Sequence, residues 1–185
     1  PIEPGKDVRY NSLINKSLSR FLSNNTDAII IGEDIEDGNN YVPGDYGGAF
    51  KVTKNLSQQF AGRIFNTPIS EAAIVGVAAG YSIKAGRTIV ELMFGDFSTL
   101  AFDQILQHIS KFEMMYNGGI SCPLILRTPM GGKRGYGPTH SQSIEKHFMG
   151  IPNFTIIAFN HRINPDYILE SLNSIKTPAL LIENK

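Results

Sequence analysis

The sequence has a single cysteine, Cys122, no tryptophan and no surplus of charge, with 17 lysine and arginine residues against 17 aspartate and glutamate residues. One cysteine forms neither an internal disulfide nor a cysteine-based zinc cluster, which favours a reducing compartment. The missing basic surplus argues against general nucleic-acid binding. No apolar run approaches the roughly 20 residues that span a bilayer, and residues 1–4 are not a signal peptide. We therefore expect a cytoplasmic protein that binds neither nucleic acid nor membrane.

Several common catalytic motifs are also absent. No Gly-x-Gly-x-x-Gly follows the first apolar run, no phosphate-binding loop ends in Gly-Lys-Ser/Thr, and no Gly-x-Ser-x-Gly elbow occurs. No group of residues has the spacing of metal ligands. The sequence therefore predicts no phosphate cradle, serine nucleophile or metal centre of its own.

The 185 residues, 42% apolar and 18% charged, suit one globular domain. The first residue is not methionine, and the last follows directly on an apolar run. We therefore expect residues 1–185 to form one domain cut from a longer chain.

Short apolar runs alternate with helical patterns along the chain. The longest helical pattern covers residues 98–116, with one apolar stripe of Phe102, Ile105, Ile109, Phe112 and Met115. Continuous apolar runs are typical of parallel strands covered on both faces. The fold class predicted is α/β, a three-layer α/β/α arrangement around a mostly parallel sheet. Six strands are expected, at 28–31, 63–65, 88–91, 124–126, 155–159 and 179–182.

Two glycine-rich stretches, 34–48 and 128–139, interrupt this rhythm. Loops of this length in a compact domain are commonly functional. Both follow predicted strands, and open α/β sheets bind ligands at the carboxyl edge of their strands. We therefore expect the site at that edge.

The first candidate residue is Glu71, in the first turn of a predicted helix that Ser70 can cap. The structural interpretation is a capped helix. The functional interpretation is a carboxylate at the carboxyl edge of the sheet. Small residues follow and would allow close packing against the sheet or another helix, two options that remain open: Ala72, Ala73, Gly76, Ala78, Ala79 and Gly80.

Two further candidates follow later strands. Asp96 or Ser98 can cap the next helix, and Phe94 and Phe97 flank the turn as core residues or as a stacking surface for a planar ligand. His140 ends the second glycine-rich loop, where Ser141 can cap a helix. A histidine there suits acid–base work or is a solvent-facing loop residue.

Together these motifs resemble the pyrimidine-binding domain of the beta subunit of the decarboxylating component of 2-oxo acid dehydrogenase complexes, such as the pyruvate and branched-chain enzymes. The likeness covers residues 8–185. In that family the beta subunit continues into a carboxyl-terminal domain that is absent here. The resemblance rests on these segments, in this order: 32–35, 48–53, 68–71, 91–97, 103–104 and 140–142.

The resemblance implies a thiamine diphosphate-binding fold of the pyrimidine type, and oxidative decarboxylation of a 2-oxo acid with acyl transfer to lipoyl. Glu71 matches the glutamate that hydrogen-bonds the aminopyrimidine nitrogen. Phe97 matches the aromatic that packs on that ring, with Met93 near it. His140 matches a histidine on the substrate side, and Glu33 matches an acidic residue near the reactive end of the cofactor.

It also implies partners. The diphosphate and its Mg²⁺ are held in the family by a separate alpha-type subunit or domain with a Gly-Asp-Gly…Asn motif, which this sequence lacks. The resemblance also implies a lipoyl acyltransferase component as a partner and assembly as a dimer or heterotetramer. The location that it implies is the cytoplasm or, in a eukaryote, the mitochondrial matrix. Residues 36–46 form a longer insertion than is usual, and Ile175 stands where some members have a potassium-binding aspartate. The alternatives are a transketolase-like enzyme acting on sugar phosphates and a non-catalytic assembly module.

Overall fold

The computed structural model describes residues 9–38 and 46–185. Its α-helices are α1 (Tyr10–Asn24), α2 (Leu56–Gln59), α3 (Glu71–Lys84), α4 (Phe112–Met115) and α5 (Pro165–Ser174). Its strands are β1 (Ile29–Gly32), β2 (Ile64–Asn66), β3 (Thr88–Glu91), β4 (Leu124–Met130), β5 (Thr155–Ala158) and β6 (Ala179–Asn184). Between β3 and α4 lie a 3₁₀ segment, Gly95–Ala101, and a π-helical segment, Gln104–Ile109.

The strands form one sheet in the order β2-β1-β3-β4-β6-β5, with every pairing parallel. The six predicted strands and the α/β fold class are confirmed. Strands β1, β3 and β4 are buried throughout, whereas the edge strands β2 and β5 are partly exposed. The continuous apolar runs follow from burial on both faces of the central strands.

Alternate strand residues supply two apolar cores, one on each face of the sheet. Ile31 and Val90 pack in the core beneath α3. Ile30 and Ile89 point to the opposite face and pack in the core beneath α1 and α5. The period of two along each strand therefore places helices on both faces.

The helix predicted over 98–116 is interrupted. The Ser110 N–H donates to the Ile105 carbonyl at 3.3 Å, five residues back, which inserts one extra residue into the turn. At 3.6 residues per turn, one extra residue rotates every later side chain by roughly 100°. Ile105 and Ile109 are therefore buried as predicted, whereas Met115 is 62% exposed and its place on the stripe was wrong.

Loops that follow the strands meet at the carboxyl edge of the sheet. The Gly131 N–H donates to the Gln142 carbonyl at 3.1 Å and closes the glycine-rich loop after β4. The Lys185 N–H donates to the Met130 carbonyl at 3.2 Å, which continues the pairing of β6 with β4. Most of the predicted 36–46 insertion lies outside the described residues, at 39–45. No helix in the described ranges is long and apolar enough to cross a membrane.

Candidate active site

Glu71 is the first residue of α3 and is only 7% exposed. Ser70 occupies the N-cap position as predicted, but its side chain makes no capping hydrogen bond. The Thr67 N–H donates to the Gly32 carbonyl at 2.9 Å, which ties the segment before α3 to the end of β1. The positive end of a 14-residue helix favours a carboxylate at this position.

A small recess lies beside Glu71. It has a volume of about 130 Å³ and is lined by apolar atoms of Thr67, Pro68, Ala73 and Val77 among others. The Thr67 hydroxyl is buried and has no hydrogen-bond partner in the described part of the chain. The recess therefore has apolar walls, and the Thr67 hydroxyl is buried behind them.

Glu33 directly follows β1, at the same carboxyl edge of the sheet. Burial raises the pKa of Glu33, and the charges of Asp34 and Glu71 raise it further. Two predicted site residues, Glu33 and Glu71, therefore lie close enough for the charge of Glu71 to act on Glu33.

Two of the predicted site residues, Phe97 and His140, both pack against Phe94. The His140 ring packs edge-on against Phe94 at a centroid distance of 4.9 Å and against Phe97 at 5.1 Å. Phe94 and Phe97 are themselves 5.5 Å apart. The Thr139 hydroxyl lies 2.8 Å from Nδ1 of His140, which leaves Nε2 as the ring nitrogen available to another molecule. Met93 precedes Phe94 and is half-buried.

Sequence reasoning missed Lys185, which lies over this aromatic group. Its Nζ is 4.6 Å from the centroid of Phe94 and 5.9 Å from that of Tyr136, and it donates to the His140 carbonyl. Burial lowers the pKa of Lys185, and the Asp96 carboxylate acts in the opposite direction. A terminal lysine after an apolar run carried no signal of this role, because the contact joins residues 45 positions apart.

Two predicted caps were wrong. Asp96 lies inside the 3₁₀ segment, and its Oδ1 accepts from the Gln142 side-chain amide at 2.8 Å. Ser141 does not precede a helix, because the next helical turn begins at Glu145. Both polar side chains lie next to a turn. The Asp96 carboxylate, however, accepts a hydrogen bond from Gln142 on the other loop and does not cap a helix.

A buried ion cluster on the α1 side was also missed. Arg127 donates from Nε to Glu183 Oε1 at 2.8 Å and from Nη2 to Glu183 Oε2 at 2.7 Å, and from Nη1 to Glu91. Burial raises the pKa of Glu91, against the opposing effect of Arg127. The signal was available in the sequence as charged residues at the ends of three apolar strands.

The described residues contain no group of three or more histidine, cysteine, aspartate or glutamate side chains placed to hold a metal ion. Near Ile175, the position linked to potassium, backbone carbonyls are occupied by a guanidinium. Arg87 donates to Leu172 O at 3.0 Å and to Ile175 O at 2.8 Å. A cation contributed by the chain itself therefore satisfies the end of α5.

The model of the family described as "Transketolase, pyrimidine binding domain" matches residues 6–185. The chain is 34% identical to the pyruvate dehydrogenase E1 component subunit beta of Gracilaria tenuistipitata var. liui, over 96% of this chain and 53% of that protein. It is 31% identical to the 2-oxoisovalerate dehydrogenase subunit beta of Bacillus subtilis strain 168, over 96% of this chain and 52% of that protein.

The chain thus spans about half the length of the curated relatives it matches. Among solved structures, a split-gene transketolase described as an inactive beta4 tetramer aligns with a TM-score of 0.71 at 20% identity, covering 95% of this chain and 50% of that one. That likeness supports the fold. On the family match over nearly its whole length, the chain belongs to the transketolase pyrimidine-binding domain family.

Proposed function

We propose that residues 1–185 are the pyrimidine-binding domain of a longer beta subunit in a thiamine diphosphate-dependent 2-oxo acid dehydrogenase. The reaction is the oxidative decarboxylation of a 2-oxo acid with acyl transfer to lipoyl. The observation that carries the proposal is the buried Glu71 carboxylate at the start of α3, on the same sheet edge as Phe97 and His140. The names of the two relatives above supply the substrate class.

The described residues fit the aminopyrimidine half of the cofactor. Glu71 supplies a carboxyl group for a ring nitrogen, Phe97 supplies an aromatic face beside Met93, and the buried Thr67 hydroxyl has no partner among them. The diphosphate half needs a metal and phosphate donors, and the described residues contain no metal-binding group. We assign the diphosphate and Mg²⁺ to an alpha-type subunit or domain.

Thiamine diphosphate, when bound, would supply the carbon nucleophile that 2-oxo acid decarboxylation requires. Glu71, buried at the first turn of α3, holds or shares a proton at the aminopyrimidine nitrogen. His140 holds or moves a proton at Nε2, because Thr139 engages Nδ1. Glu33, whose pKa is raised by burial and by its acidic neighbours, supplies a further carboxyl group at the same sheet edge.

The open face of α3 supports a partner surface. Val77 is 63% exposed on this face, Ile69, which precedes the helix, is 77% exposed, and a Cβ added at Gly80 would meet no atom within 4 Å. Exposed apolar and small residues on one helix face are typical of a packing surface for another protein. We propose that the alpha-type partner packs there, within a dimer or heterotetramer that also serves a lipoyl acyltransferase component. The cytoplasmic location stays a prediction.

The partner surface has its own test. Gly80→Leu adds a side chain into open space, so the fold tolerates it while close packing is blocked. We expect size-exclusion chromatography of the full-length subunit mixed with its partner to show lost assembly. Ser12→Leu, on the exposed side of α1, is the matched control and assembles normally. Normal assembly of Gly80→Leu would move the interface elsewhere.

The catalytic assignment is tested in the complete enzyme. We expect Glu71→Gln and Glu71→Ala to lower 2-oxo acid decarboxylation and lipoyl-domain acylation by roughly 10²- to 10⁴-fold, the range typical of positioned proton transfer. Glu170→Gln, on the exposed side of α5, is the control. Normal turnover by Glu71→Ala would refute the assignment. Ketol transfer between sugar phosphates without lipoyl acylation would favour the transketolase-like alternative. The absence of both activities in the complete enzyme would favour the non-catalytic assembly module.

A further inference from the structure

The loop that carries His140 ends in a two-point hydrogen bond to a buried aspartate. Asp96 Oδ1 accepts from the Gln142 side-chain amide at 2.8 Å and from the Gln142 backbone N–H at 3.3 Å. Asp96 is 7% exposed, whereas Gln142 is exposed. The two residues lie on loops that follow the neighbouring strands β3 and β4. The contact therefore joins the end of the loop to the edge of the core.

The backbone next to Asp96 is closely packed. A Cβ added at Gly95 would lie 2.3 Å from Met130 Cγ, so the backbone there packs directly on the last residue of β4. The Ser98 hydroxyl donates to the Gly95 carbonyl at 2.6 Å and the Thr99 hydroxyl to the Asp96 carbonyl at 2.9 Å. The backbone that carries Asp96 is thus held by close packing and by two hydrogen bonds.

His140 lies two residues before Gln142 and is held on its other side by Lys185, which donates to the His140 carbonyl. On the Gln142 side, the Asp96 carboxylate holds the loop through its two hydrogen bonds to Gln142.

We infer that Asp96 is a positioning residue for His140, acting through Gln142. The inference rests on the proposed function, because the catalytic role of His140 gives its position a consequence. Misplacing a reacting group by about 1 Å costs on the order of 10²-fold in rate. The same contact also explains why Asp96 does not cap its helical segment.

The test is a charge reversal of the pair in the complete enzyme. Gln142→Glu sets two carboxylates against each other. Asp96→Asn with Gln142→Glu restores the pair in reverse, since Asn donates from Nδ2 to the new carboxylate and accepts the residue-142 backbone N–H at Oδ1. We expect Gln142→Glu to lower kcat about 100-fold, with KM for the 2-oxo acid within about 3-fold. The double variant should recover at least about 10-fold of that loss.

A second readout needs no catalysis. The rate at which diethyl pyrocarbonate modifies His140, followed by mass spectrometry, reports how accessible its ring is. We expect faster modification in Gln142→Glu and a near-normal rate in the double variant. Gln107→Glu, on an exposed helical position beside Lys111, is the matched control and leaves both readouts unchanged.

The outcomes separate the two proposals. Wild-type kcat and modification rate in Gln142→Glu, or a double variant no better than Gln142→Glu alone, would overturn the inference. If the wild-type enzyme decarboxylates no 2-oxo acid while His140 modification follows the expected pattern, the proposed function fails and the positioning contact stands.

Discussion

Arg127 and Glu183 form a buried two-point ion pair between the adjacent strands β4 and β6, with N···O distances of 2.8 and 2.7 Å. Arg127 is 2% exposed and also donates to Glu91 on β3, so one guanidinium joins three strands. The planar fork of arginine matches a carboxylate at two points, which a lysine does not reproduce. The cluster lies directly behind the carboxyl edge that carries the candidate site.

Replacing the guanidinium is expected to leave two carboxylates buried without a counter-charge. We predict that Arg127→Met lowers the free energy of unfolding by about 3–5 kcal/mol, the usual cost of removing one member of a buried ion pair. Urea denaturation of the full-length subunit measures it. Arg162→Met, at an exposed position, should change stability by less than about 0.5 kcal/mol. An Arg127→Met variant as stable as the wild type would contradict the prediction.

Arg87 is expected to stabilise the end of α5 through its contacts with backbone carbonyls. Its guanidinium donates to Leu172 O at 3.0 Å and Ile175 O at 2.8 Å, and also to Asn173 O. Arg87→Ala leaves these acceptors to water, and we predict a loss of roughly 2–3 kcal/mol in unfolding free energy. Arg87→Lys should recover only part, because an ammonium does not reach all three carbonyls. Equal stability of wild type and Arg87→Ala in urea denaturation would refute this role.

Tyr10 is expected to contribute to alkaline unfolding. Burial raises its pKa from 10.0 to about 12, and the Glu183 charge adds to the effect. Because the folded-state pKa lies above the unfolded one, the contribution of Tyr10 is fully present below about pH 10 and is lost as the pH rises towards about 12. Stability measured across that window should fall less steeply for Tyr10→Phe than for the wild type. Identical slopes would show that Tyr10 titrates normally.

The single cysteine is expected to be unreactive. Burial raises the pKa of the Cys122 thiol to about 11, and the residue is 3% exposed. The thiolate is the nucleophile, so iodoacetamide at pH 8 should leave Cys122 unmodified in the native protein and alkylate it after unfolding. Mass spectrometry distinguishes the two. Rapid alkylation of the native protein would show that this region opens.

The sequence was sufficient to predict the strands of the sheet. Runs such as 88–91 and 179–182 are apolar because both faces of a central parallel strand are covered, and that local pattern needs no knowledge of the partner strands. The position of Glu71 at the start of a helix, and of His140 at the end of a glycine-rich loop, also followed from local signals.

The tertiary structure decided what those residues touch. Met115 is exposed and does not lie on the predicted apolar stripe, because one extra residue at Ile105–Ser110 rotates the side chains that follow it. Asp96 became a contact for Gln142 instead of a cap, since a side chain's partner depends on which loops meet at the sheet edge.

The same distinction applies to the absences in the composition. From a balanced charge and one cysteine we expect neither general nucleic-acid binding nor a cysteine-based zinc cluster, because those expectations depend only on counts. The balance did not reveal that Glu91, Arg127 and Glu183 meet in the interior, or that the small residues of α3 divide between the core and an open face. These features arise from strand register and helix packing between distant segments, so only the folded chain determines them.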